Sequence, residues 1–98
     1  MLTIVTSTPF DRWLAGLKDH EGRARILDRL DRLAAGHFGD TKTVGDSIAE
    51  LRIHAGPGYR IYYMRHGDTV IVLLMGGDKR SQVRDIRRAK VIAESWNG

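Results

Sequence analysis

Cysteine is absent from this chain, which excludes disulfides and thiolate zinc sites and fits a reducing compartment. Long apolar runs are also missing: no segment reaches the ~20 residues a membrane span requires. The opening MLTIVTS has neither the basic start nor the apolar length of a signal peptide. A cytoplasmic protein with no membrane partner is expected. There is no internal repeat, low-complexity tract, acidic tail or Pro/Ser-rich linker, and only 2 prolines occur in all. The four histidines, His20, His37, His54 and His66, form no i, i+4 pair and no acidic cluster, so neither a metal nor another cofactor is expected.

With 98 residues, 42% of them hydrophobic, the chain suffices for one core, and a single domain over 1–98 is expected. Its formal net charge is +4, which favours polyanionic partners without naming one. Residues 1–49 hold seven Lys/Arg and seven Asp/Glu, whereas residues 50–98 hold nine and five. The whole excess lies in the second half, as a basic face would require.

Leu2 to Thr6 is short, apolar and partly β-branched, as a strand would be; Ser7, Thr8 and Pro9 then open a short helix, Pro9 to Leu17. EGRARILDRLDRLAAG sets Ala24, Leu27, Leu30 and Ala34 on one helical face, flanked by Ile26 and Leu33, and ends at Gly36 as a C′ residue. The two helices, joined by a short link, form an αα-hairpin. HFGDTKTVGD reads as a loop. Beyond it the period becomes 2: Ile48 to His54 puts Leu51 and Ile53 opposite Arg52 and His54, and YRIYYMR puts Tyr59, Ile61 and Tyr63 opposite Arg60, Tyr62 and Met64. TVIVLLM is apolar on both faces, as a strand covered on each side would be. Val83 to Trp96 returns to helical spacing. The order is β-α-α-β-β-β-α: an α+β fold with an antiparallel meander, the N-terminal strand at its edge and the helical hairpin on one face.

GGDKRSQ follows the apolar strand and needs an explanation. Two glycines allow close approach of backbone or substrate; Asp78 or Ser81 caps the last helix; Lys79 and Arg80 emerge where a phosphate could meet them. Together, ELRIHAGPGYRIYY and LLMGGDKRSQVRDIRRA resemble the RelE/ParE toxin superfamily, and within it the HigB-like addiction module killer branch, over nearly the whole chain. The sharpest matches are GPGYR and LL-x-GGDK-x-[ST]-Q followed by DI. The resemblance implies the toxin of a type II toxin–antitoxin pair, commonly an endoribonuclease acting on translated mRNA at the ribosome. Its implied partner is a cognate antitoxin, a helix-turn-helix DNA-binding protein in this branch, and the pair would bind operator DNA.

Metal-independent RNA cleavage needs a deprotonated 2′-OH, a stabilised phosphate and a protonated 5′-oxygen. Arg60 matches the arginine of the family's G-Y-R motif, which contacts the scissile phosphate in RelE-type members, and its planar fork suits two phosphate oxygens. Arg52 offers a second cation from the adjacent strand. Proton transfer falls to Lys79 or His54, between which the residues do not choose. Arg80, Arg84 and Gln82 are the expected substrate contacts, with Tyr62 as a base-stacking platform. Some RelE members use a C-terminal tyrosine; after KRSQ this chain has Ile86 near that place and no tyrosine. The alternatives are a ParE-like DNA gyrase poison on the same fold and a non-catalytic RNA-binding protein.

Overall fold

Ser7 sets the first helix in place. In the computed structural model, which describes residues 1–96, its buried Oγ accepts from the Phe10 N–H at 3.1 Å and donates to the Leu74 carbonyl at 2.6 Å. One hydroxyl thus caps α1 (Thr8–Ala15) and ties it to β5 (Val70–Asp78), with β1 (Thr3–Thr6) just before it. Asp19 does the same for α2 (His20–Ala34): it accepts from the Gly22 N–H at 3.0 Å and from the Tyr59 hydroxyl at 2.7 Å. Burial and the Asp19 carboxylate push the Tyr59 phenol up to about 12, so this link keeps its proton. Gly36, at φ +93°, ends α2 in the left-handed conformation foreseen for it.

The face α2 buries is rotated from the one expected. Gly22, Ile26 and Leu33 are buried, whereas Ala24 and Leu27 face solvent. The reason is Arg29, whose guanidinium reaches inward to the carbonyls of Arg52 at 2.8 Å and Phe38 at 2.9 Å. One of these charge-assisted bonds ties the Arg29 side of α2 to β3 and the other ties it to the loop that follows the helix.

The sheet has the order β1-β5-β4-β3-β2, with β2 Thr41–Gly45, β3 Ile48–Ile53 and β4 Tyr59–His66. β1 lies at the edge, parallel to β5, and the remaining neighbours are antiparallel. β2 corrects the expectation of a loop: the order is β-α-α-β-β-β-β-α. Its five mostly exposed residues carry almost no apolar period, and the pairing depends instead on the Gly45-Asp46-Ser47 turn, where all three φ are positive.

Both sheet faces are covered. The helical hairpin closes one over Leu51, Ile53, Tyr59, Ile61, Ile71 and Leu73. The other was expected to hold basic and tyrosine side chains, but α3 (Gln82–Ser95) crosses it and buries Tyr62, Val72, Leu74 and Met75. The 3₁₀ turn Lys79–Ser81 reverses the chain between β5 and α3, and Asp78 caps it, its Oδ1 accepting from the N–H groups of Arg80 and Ser81.

A bulge in β5 explains the paired glycines. Tyr62 pairs with Met75 but Tyr63 with Leu73, leaving Leu74 extra. The phase flips, so Gly76 points at the hairpin and Gly77 at α3. A Cβ on Gly76 would enter the Trp13 ring, and one on Gly77 would overlap the Asp85 carboxylate. Gly76→Ala should therefore cost about 3 kcal/mol in urea unfolding, as overpacking against a held indole does. Gly36→Ala, with open space around its Cβ, should cost only about 1 kcal/mol for its left-handed backbone. Equal losses would mean that Trp13 moves aside freely.

Candidate active site

On the face turned from the helical hairpin, the register aligns two rows of side chains. Arg52 stands opposite Arg60 and Arg60 opposite Gly77; one step along, Glu50 stands opposite Tyr62 and Tyr62 opposite Met75. Glu50 is the centre of the cluster and has no exposed surface. Its Oε1 takes the Arg52 Nε at 3.0 Å, its Oε2 takes the Gln82 Nε2 at 2.7 Å, and the Arg60 Nε lies 3.8 Å from Oε2. Burial pushes the Glu50 carboxyl up, but the Arg52 and Gln82 hydrogen bonds and the Arg60 charge outweigh it and hold the group below its ordinary value. Glu50 is thus ionised, and in return raises the Arg52 guanidinium further.

Arg60 is more enclosed than an open strand face would leave it, its side chain only 12% exposed against 29% for Arg52. One guanidinium nitrogen, Nη1, donates to the Gly58 carbonyl at 3.1 Å. Gly58, at φ +80°, separates Arg60 from Lys79: a Cβ there would meet the Arg60 Nη1 at 3.3 Å and the Lys79 Cβ at 3.7 Å. Lys79 is exposed and has no ion-pair partner among the described residues. The fold therefore gathers Arg52, Arg60 and Gln82 round one buried carboxylate, with Lys79 beside Arg60 across Gly58.

Other expected site residues lie elsewhere. Tyr62 is fully buried beneath α3, so it offers no stacking platform; burial and the charges of Glu50 and Asp85 push its phenol up. His54 falls past the end of β3, where the chain turns through Ala55–Gly58, and its Nε2 pairs with the Asp40 Oδ2. It shares a hollow with Asp19 and Arg25 of the α2 side. Arg80 and Arg84 line a shallow hollow of about 520 Å³ with Asp78, Ser81, Val83 and Arg87. Gln82 spends its amide on Glu50.

Sequence reading missed two carboxylates. Glu50 stands two residues before Arg52 in a strand and so shares its face, a signal that was available. Asp85 is buried under Gly77, where the Ser81 Oγ donates to its Oδ2 and the Arg84 Nε lies 3.6 Å from its Oδ1. Its spacing to Ala89 and Ile92 marks the inner face of α3.

Chemically, the cluster can hold a phosphate against fixed guanidinium groups beside a mobile ammonium. Residues 12–95 match the model of a family described as phage-derived protein Gp49-like (DUF891). A Haemophilus influenzae protein described as uncharacterized is 45% identical over 93 residues, covering 95% of this chain and 94% of its own. The Escherichia coli toxin RelE, solved in the free state with two arginines replaced by alanine, superposes with a TM-score of 0.66 at 15% identity, over 89% of this chain and 96% of that one. That likeness is one of fold.

Acid should expose the role of Glu50. A carboxyl held below its ordinary 4.5 contributes stability that is complete above that value and lost as pH falls through the depressed one. Glu50→Gln should lower stability by about 3 kcal/mol near neutrality, because Arg52 and Arg60 lose their counter-charge. It should also flatten the fall of Tm as pH drops below about 5. Asp19, held low by the Gly22 N–H and Tyr59, and Asp40, held low by His54, remain in both proteins. Parallel Tm curves would show that Glu50 is not the carboxylate on which acid acts.

Proposed function

The chain belongs to the phage-derived Gp49-like family of RelE-like toxins, and we propose that it arrests growth as an endoribonuclease, cutting mRNA during translation. The observation that supports this reading is the row of Arg52 and Arg60 beside Lys79, held from beneath by Glu50. In the reaction the ribose 2′-oxygen gives its proton to solvent water and attacks the neighbouring phosphorus while the bond to the 5′-oxygen breaks and that oxygen gains a proton. Arg60 and Arg52 stabilise the phosphate as its negative charge becomes crowded, and they do so without reorganising, because Glu50 has already fixed them. Lys79 delivers the proton to the leaving oxygen. It stands beside Arg60 across Gly58, whereas His54 is engaged with Asp40.

Arg80 and Arg84 meet flanking phosphates in the shallow hollow at the head of α3. Gln82 acts on Glu50 rather than on substrate. RelE-like toxins pair with an antitoxin; in our reading this one is a helix-turn-helix protein that also carries the pair to operator DNA.

The test is a translating extract containing a defined mRNA and a circular plasmid, with new ends located by primer extension. Wild type should cut at codon-phased positions only during translation, and Arg60→Ala, folded by circular dichroism, should cut about 100-fold more slowly. Intact mRNA with gyrase-dependent linearisation of the plasmid would overturn the nuclease reading in favour of a gyrase poison.

A further inference from the structure

The cluster around Glu50 uses the inner side and the first turn of α3 and leaves its outer side unexplained. At 3.6 residues per turn, Val83, Arg87, Val91, Arg84 and Arg88 fall within an arc of about 140°. Val83 is 72% and Val91 63% exposed, two of the four large apolar side chains most open to solvent among the described residues, and they stand on one face. The only carboxylate between residues 79 and 93 is Asp85, and it is turned inward and buried. No ion pair reaches Arg87 or Arg88 among the described residues; Lys90, on the neighbouring flank, is paired with Asp46. Between α3 and the start of α1 a hollow of about 440 Å³ is lined by Pro9, Ile92, Val91 and the three arginines.

We propose that this face is the docking surface for an acidic, apolar-faced segment of a partner protein. Three occupants compete for it. A second copy of the chain would bring arginine against arginine, a like-charge approach that costs several kcal/mol. An RNA backbone would satisfy the arginines but gains nothing from two valines set eight residues apart, about 12 Å on a helix. A segment with carboxylates flanking an apolar stripe satisfies both features, with the stripe on Val83, Val91 and the hollow, and the carboxylates on Arg84, Arg87 and Arg88. The proposal deepens the toxin reading by placing its partner, and rests on that reading only for what the partner does.

The probe is a fluorescent helical peptide of glutamates with leucines spaced seven and eight residues apart; its control has serines for the leucines and the same charge. Anisotropy at physiological salt should show the full-length protein binding the leucine peptide about tenfold more tightly than the control. Val91→Ser should erase that preference, Arg88→Glu should weaken both peptides, and Arg60→Ala should change neither. Equal affinity for the two peptides would overturn the proposal. So would a single-stranded RNA that displaces the leucine peptide and itself loses affinity in Val91→Ser, since the face would then belong to nucleic acid. Cleavage assays on the same variants report separately on the nuclease reading, so the two can fail independently.

Discussion

A carboxylate with no exposed surface sits at the middle of this structure, and it is ionised. Burying such a charge costs several kcal/mol unless its lone pairs are taken and its charge is met. Glu50 meets the condition with hydrogen bonds from Arg52 on its own strand and Gln82 at the head of α3, and with the charge of Arg60 on the next strand, 3.8 Å away. Each gains from the arrangement. Arg52 and Arg60 are direct cross-strand neighbours, and like charges so placed repel. With Glu50 between them the pair can stay close and still leave one net positive charge facing outward. Two guanidinium groups held so close therefore need a hidden negative charge, and here it also fastens the last helix to the sheet through Gln82.

That fastening depends on a backbone irregularity two strands away. The extra residue in β5 turns Gly77 toward α3, and the missing side chain admits Asp85. Asp85 in turn receives the Ser81 hydroxyl, which orders the turn from which Lys79 and Arg80 project. Without the bulge, alternation would set Met75 against the hairpin where Gly76 now leaves room for Trp13, and Gly76 rather than Gly77 against α3. The two glycines, read as room for backbone or substrate, are room for side chains: one for an indole, one for a carboxylate.

Periodicity made much of this legible. The α+β class, the helical hairpin, the meander and the edge strand follow from where the spacing changes between 3.6 and 2. So does the shared face of Arg52 and Arg60, because alternation in a strand is a geometric necessity. What escaped was whatever an apolar period does not record. β2 has little such period of its own and is set against β3 by the Gly45-Asp46-Ser47 turn. The α2 face turned because Arg29 found two carbonyls, a polar attraction that counting apolar residues cannot register. Tyr62 looked available because nothing in a strand's own sequence tells which helix will later cross it. Glu50 is the instructive miss, since a lone carboxylate in a strand is ordinarily solvated, and only its two-residue spacing from Arg52 hinted otherwise.

The two sides of α3 are not independent surfaces. Arg84 lines both the hollow beside Lys79–Ser81 and the one beside Pro9, and its Nε lies 3.6 Å from the buried Asp85. Its guanidinium is mobile enough, at 70% exposure, to serve a phosphate on one side or a carboxylate on the other, and a single cation cannot fully serve both. In the proposed nuclease, an acidic segment on the outer face would therefore compete with RNA for Arg84 while leaving Arg60 and Lys79 uncovered. Such inhibition would act through electrostatics as well as bulk, and it would weaken as salt screens the exposed arginines. The buried pair of Glu50 with Arg52 would persist under the same conditions. A shift in the balance between substrate and partner need not disturb the cluster on which the fold depends.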